Sequence, residues 1–446
     1  MILLPHRAAA VREVLLSGWP TGYGWAMADV RPFPALHYNL AAVNSLGAVT
    51  APPYDVINDE ERGKLLQHSP FNVVEIDLPK ASGEGSDPYQ HAADTLEEWR
   101  LSGVLTQDRD PKLWALTQEY AAPDGTTHTR NGILARVRVT DYGPGQIRPH
   151  ERTQPGPKQD RLDLTRATRY NLSPIFSLTN KDAWPQVAAE TEFDPWAEVT
   201  DNEGTTHRLW PIADPLVHAA VTEVLAEAEL LIADGHHRYE TARAYMAEVP
   251  GEGAQCFTLM ALTGLDDPGL TVFPTHRLLS GLAGNPDIRD HLTNGLHEAF
   301  DVEATDLDGL DPAGMEGIGC FGYIDQTTGR YLKLRLKDPL GLDQLMEGKS
   351  EAYRHLDAAI LEKVVLREIL GLSEEDVEGK RGIGYAKSIE SSMEMVEGGS
   401  YQAAFILRAT PIEQVRAVAA AGETMPPKAT FFYPKLLSGM AFNPLS

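Results

Sequence analysis

Cysteine is nearly absent: the 446 residues include two, Cys256 and Cys320. Two are too few for the disulfide framework of a small secreted domain, and with no CxxC pair there is no thiolate metal motif. A reducing cytoplasm is the expected compartment. Basic side chains are also scarce, 39 against 64 acidic, for a net charge of −25. That charge repels phosphate backbones and anionic lipid surfaces alike, which argues against a general nucleic-acid binder. Long apolar runs are missing too. None approaches the roughly 18 residues of a membrane span, and Pro5, His6, Arg7, Arg12 and Glu13 interrupt the apolar start before a signal-peptide core can form. No internal repeat or low-complexity run is visible, which excludes solenoids and propellers.

What remains is ordinary globular composition, 42% hydrophobic and 23% charged, in a chain long enough for two or three domains. Met27 opens a conventional segment, so residues 1–26 are either an over-long start or a real extension, and they are expected to be dispensable. Asn58 before Asp59-Glu60-Glu61 predicts a helix start, because a capping side chain and acidic residues suit the positive end of the dipole. A second helix is expected from Asp87-Pro88 to Gly103, with Tyr89, Ala92, Leu96 and Trp99 on one face. Residues 112–120 and 127–139 read as a β-hairpin around Asp124-Gly125. From Asp141 to Pro174 the chain turns polar, and a long polar connection is expected. Residues 229–233 then read as a buried strand, broken at Asp234-Gly235 and followed by a helix carrying Tyr239, Ala242, Tyr245 and Met246. Strands are expected at 256–262 and 270–273, and a helical stretch at 357–370.

Five groups of residues point to chemistry. Asp234-Gly235-His236-His237-Arg238 stands between the strand and the helix. Free N–H groups at a helix start attract anions, Gly lets a ligand approach the backbone, and Arg clamps phosphate in bidentate fashion. The alternative makes Asp234 a plain N-cap and the His pair a solvated first turn. His150-Glu151-Arg152-Thr153 with Asp160-Arg161 offers a general base or oxygen ligands for Mg2+, and a guanidinium for developing phosphate charge. The alternative there is a solvated loop laced with ion pairs. Zinc on His150, His236 and His237 lacks the usual i, i+4 spacing. Pro274-Thr275-His276-Arg277 and Lys428 with Lys435 supply further cations, while Ala51-Pro52-Pro53-Tyr54-Asp55 is a rigid lead into a helix.

Taken together, residues 51–57, His150-Glu151-Arg152-Thr153 with Asp160-Arg161, residues 171–176, residues 233–239, and Met425-Pro426-Pro427-Lys428 through Phe432-Tyr433-Pro434-Lys435 resemble the signature blocks of the bacterial family catalogued as domain of unknown function 1015. The blocks follow the family's order over about residues 30–440. The Asp-Gly-His-His-Arg box is in addition similar to the nucleotide-binding box of the ParB/sulfiredoxin-like superfamily, in particular its archaeal ADP-dependent serine kinases. ParB partition proteins also bind DNA, but the −25 charge and the lack of a basic helix-turn-helix speak against that branch.

The resemblance implies a mixed α/β (α+β) fold with a ParB/sulfiredoxin-like core at 30–290, a C-terminal α+β region at 291–446 and a disordered extension at 1–29. It implies a nucleotide-dependent kinase acting on the hydroxyl of a small polar metabolite such as serine, using ATP or ADP and Mg2+. Asp234, Gly235, His236, His237 and Arg238 would bind the nucleotide phosphates. Glu151, Asp160 and Arg161 would be catalytic, with Glu151 and Asp160 also holding the metal. The expected partners are nucleotide and small-molecule substrate, without nucleic acid or membrane. The alternative is a nucleotide-binding regulatory protein that transfers nothing.

Overall fold

The computed structural model describes residues 28–446, except 82, 84, 123, 124, 144, 145 and 152–154. The expected extension therefore lies outside the described residues up to Met27. Ala28 is buried, and Asp29 pairs with Arg31 and Arg138. Asp124 of the expected turn and Arg152 and Thr153 of the polar block also fall outside.

The architecture is mixed α/β. A nine-stranded sheet is built from β1 (Val30–Arg31), β2 (Leu113–Ala121), β3 (Thr127–Arg138), β4 (Ile147–Arg148), β5 (Ile175–Thr179), β6 (Ala197–Thr200), β7 (Thr206–Ile212), β8 (Leu230–Asp234) and β9 (Phe257–Gly264). Their spatial order is β4-β8-β5-β9-β3-β2-β7-β6, with β1 on β3. β2 and β3 form the predicted antiparallel hairpin, in register from Trp114 opposite Leu134 to Ala121 opposite Thr127. Alternation then sorts side chains to two faces, since successive residues of a strand point oppositely. Ile133, Ala135, Leu230, Ile232 and Met260 enter one hydrophobic cluster, while Leu134, Leu231, Ala233 and Leu259 enter another.

Both faces are covered by helices. α1 (Pro88–Leu101) starts at Asp87, whose side chain accepts from Tyr89 N–H, and it buries Ala92, Leu96 and Trp99. Helix α2 (Pro155–Thr168) lies where the sequence reads as a polar connection. Its buried residues Arg161, Leu162, Leu164, Thr165 and Thr168 do recur at helical spacing. The polar types hide that pattern. Thr165 and Thr168 satisfy their hydroxyls on the carbonyls four residues back, at 2.8 Å each, so they are buried without penalty. α3 (Pro215–Leu225) and α4 (His236–Glu248) lie on the other cluster through Val221, Leu225, Tyr239 and Ala242.

A second sheet of six strands runs in the order Phe300–Thr305, Arg330–Leu336, Cys320–Asp325, Ala403–Ile406, His276–Leu279 and Ile383–Ala386. The expected helical stretch forms as Asp357–Ile360 followed by a π-helix at Leu361–Ile369. The chain then returns toward the first sheet and pairs in two separate two-stranded sheets. Phe431–Tyr433 pairs with Thr271–Phe273, and Asn443–Pro444 with Tyr170–Asn171. This return lays the C-terminal segment across the end of β8.

Candidate functional site

β8 runs antiparallel to β5 with a register shift between Ile232 and Asp234, and the chain turns sharply at Gly235. Gly235 has φ +92°, a conformation that strains any L side chain. It also leaves room, because a Cβ there would stand 2.9 Å from Nε of Arg238. The Arg238 guanidinium folds back through that space to Asp234 at 2.6 Å and to the Pro174 carbonyl. Its Nε has no hydrogen-bond partner among the described residues. Among the described residues no side chain caps α4, whereas Asn58, Asp87 and Asp214 cap their own helices. A helix start without a side-chain cap is a position that suits an anion.

The second oxygen of Asp234 accepts from the Lys435 ammonium. Burial pushes the Asp234 carboxyl up, but Lys435 and Arg238 outweigh it and hold the group well below the usual carboxylate range. Arg130, 1% exposed, fixes the segment that carries Lys435. It donates to the carbonyls of Tyr433, at 3.1 Å, and Pro434, and stacks over Phe176 at 4.2 Å. Gln118 donates to the Lys435 carbonyl at 3.0 Å and accepts from Arg130. Burial pulls the Arg130 guanidinium down to about 10, so it is still charged at neutral pH.

His150 and His236 meet edge to face, with ring centroids 4.6 Å apart. The Ile232 carbonyl, 2.6 Å from Nδ1 of His150, demands a proton there, so Nε2 accepts from the Thr430 hydroxyl at 2.9 Å. The His150 backbone N–H donates to Nε2 of His236 at 3.3 Å, which places the His236 proton on Nδ1. Burial lowers the pKa of both rings, which favours their neutral form. Glu151 follows directly, in a bridge with Met425, whose N–H donates to the His150 carbonyl at 2.7 Å. Burial also lowers His237, opposed by the charges of Glu151 and Asp55 and reinforced by Lys428 and Arg238. The acidic loop, the box and the C-terminal Pro-Pro-Lys segment therefore share one site.

Asp160 and Arg161 are placed differently. Arg161, 4% exposed, lies over the Tyr54 ring at 4.1 Å and donates to the Asp77 carbonyl at 2.6 Å and to Asp160 at 2.7 Å. Asp160 also accepts from the Tyr89 hydroxyl at 3.0 Å. Arg161 and Arg238 line a common cavity of about 40 Å³, the size of a single buried water. Burial pushes the Tyr54 hydroxyl up to about 12 despite those two guanidiniums. Arg277, singled out as part of a cationic cluster, is buried and donates to the carbonyls of Thr275, Pro427 and Lys428, shaping the Pro-Pro-Lys turn. Among the described residues no three His, Cys, Asp or Glu side chains gather to hold a metal. Nor is any helix among them long and apolar enough to cross a membrane.

Sequence reasoning passes over Arg130 and Gln118. No local signal sets Arg130 apart, since the same strand also carries Arg136 and Arg138.

A family model described as "Protein of unknown function (DUF1015)" matches residues 30–359. No curated protein matches the sequence. Among solved structures, a conserved hypothetical protein from Pyrococcus furiosus is 15% identical with a TM-score of 0.35, covering 66% of this chain and 90% of that one. A free serine kinase in complex with AMP is 16% identical with a TM-score of 0.34, covering 66% and 88%. SbnI with C-terminal truncation from Staphylococcus aureus is 13% identical with a TM-score of 0.34, covering 70% and 87%.

Proposed function

The chain belongs to the DUF1015 family, and from its site we propose that it binds a nucleotide and transfers a phosphoryl group to the hydroxyl of a small polar metabolite such as serine. The observation that carries this reading is the uncapped start of α4, where Arg238 and Lys435 converge on the single carboxylate of Asp234. Two cations against the one carboxylate of Asp234 leave surplus positive charge beside a helix start that carries no side-chain cap among the described residues. Phosphate oxygens suit that combination better than any neutral ligand does. Gly235, His236, His237 and Arg238 would line the phosphates, with Asp234 orienting the two cations.

Glu151, set beside His237, is the candidate base. It would take the proton of the metabolite hydroxyl as that oxygen bonds to phosphorus and the bond to the nucleotide breaks. Mg2+ binds commonly through one or two carboxylates together with substrate phosphates, and Glu151 fits that role. Asp160 fits it less well, because Arg161 and Tyr89 already occupy its oxygens. A ParB/sulfiredoxin-like core, a bacterial source and a cytoplasmic location belong to the same proposal.

Those contacts of Asp160 and Arg161 also favour a second reading, a nucleotide-binding regulatory protein, because two of the three supposed catalytic groups hold the fold together. Incubation with Mg2+, ATP or ADP and a pool of hydroxylated metabolites, read by mass spectrometry for phosphoesters, separates the two. Glu151→Gln should keep nucleotide affinity within a few-fold and lower transfer by about 10²–10⁴. Arg238→Ala should weaken nucleotide binding roughly ten- to a hundred-fold by calorimetry. Binding by the wild type with no phosphoester from any combination selects the regulatory reading.

A further inference from the structure

A cleft of about 470 Å³ opens between residues 51–57 and 199–203, within the usual size of a small-molecule site. Lys435 lines it, and so does Lys387, which directly follows the second-sheet strand Ile383–Ala386. The two ammoniums flank one ring, with Nζ 5.0 Å and 4.6 Å from the centroid of Phe431. Each ammonium makes a cation–π contact with that ring and pairs with one carboxylate, Lys435 with Asp234 and Lys387 with Glu203.

The carboxylates of the cleft are committed to different degrees. Asp201 accepts from His207 and from the N–H groups of Glu203 and Thr205, each at 2.9 Å. Glu61 closes the capping box of the helix at Asp59–His68. Among the described carboxylates of the cleft it is Glu203 that faces Lys387, at 3.9 Å, and both side chains are more than half exposed, 57% and 56%. Such a pair holds weakly and exchanges readily for a stronger anion.

We propose that Lys387 and Lys435 together bind a ligand carrying two linked phosphates, whose remaining part occupies this cleft. The proposal rests on the phosphate reading of the α4 start and narrows its ligand to the diphosphate class. Lys435 meets the phosphate nearest Arg238. Lys387 leaves Glu203 to meet the next, which ties the second sheet to the first when ligand is present.

The test is calorimetry on the full chain with inorganic pyrophosphate and inorganic phosphate as probes. Lys387→Ala should weaken pyrophosphate about tenfold and leave phosphate unchanged, with Lys387→Arg restoring affinity. Glu203→Gln, which removes the competing carboxylate, should strengthen pyrophosphate binding several-fold. Lys387 and Glu203 are exposed, so neither change threatens folding. Equal pyrophosphate affinity in wild type and Lys387→Ala, while Lys435→Ala weakens both anions, overturns this inference and leaves the phosphate site standing. Failure of the wild type to bind either anion overturns the phosphate reading itself, and this inference with it.

Discussion

The Lys435 ammonium and the Asp234 carboxylate stand 201 residues apart in the chain and form one hydrogen-bonded ion pair. Arg238 occupies the other oxygen of the same carboxylate. The C-terminal return of the chain is therefore anchored at the start of α4, and the charge offered to a ligand there depends on all three groups.

Asp234→Asn should show this in the acid limb of stability. A carboxyl held below its unfolded value, about 3.9, contributes stability that is complete above roughly pH 5 and fades as pH falls. Urea unfolding of the wild type should therefore weaken on acidification, with a shallower slope in the Asn variant. At neutral pH the variant should be less stable by on the order of 3 kcal/mol, since two part-buried cations lose their partner. Parallel acid slopes would contradict the assignment.

The buried histidines act in a higher window. His150 and His236 resist protonation when folded, whereas an unfolded histidine takes a proton near 6.5. The unfolded state binds more protons below that value, so stability should decline as pH falls from about 6.5. Replacing His150 with Gln should flatten the decline between roughly pH 6.5 and 5, measured by denaturant titration. A variant as steep as the wild type would show that these rings titrate normally.

Gly235→Ala tests the turn. The left-handed backbone alone should cost about 1–2 kcal/mol, and the new Cβ collides with the Arg238 guanidinium. Melting should drop by several degrees, and phosphate affinity should fall with it because Arg238 is displaced. Unchanged affinity in a folded Ala variant would detach Arg238 from the ligand.

Arg130→Met should loosen the C-terminal return, leaving the Tyr433 and Pro434 carbonyls and Gln118 without their donor. Hydrogen exchange across residues 431–437 should speed up and limited proteolysis should cut there first. Arg130→Lys should not rescue it, because one compact ammonium does not span three acceptors as a planar guanidinium does. Protection equal to wild type would mean that the return is held elsewhere.

The sequence by itself determined the local parts of this protein. The hairpin of β2 and β3 is legible because side chains alternate with period two, and the starts at Asn58 and Asp87 because a capping residue must precede the free N–H groups. The strand, turn and helix around Asp234-Gly235 follow from a buried run ending at the one residue type that accepts φ +92°. Helix α2 was not legible, since Arg161, Thr165 and Thr168 are buried polar groups whose partners come from backbone carbonyls and from Asp77. The tertiary structure alone decided which cations reach the site. Arg161 and Arg277 read like Arg238 in sequence, yet the first is closed in by Tyr54 and Asp77 and the second by the carbonyls of Pro427 and Lys428 in the distant Pro-Pro-Lys turn. Lys435 reaches Asp234 because buried Arg130 and Gln118 grip the carbonyls around it. No periodicity encodes that, because the partners of a buried charge are chosen by how the sheets and the returning chain come together, and not by neighbours along the sequence.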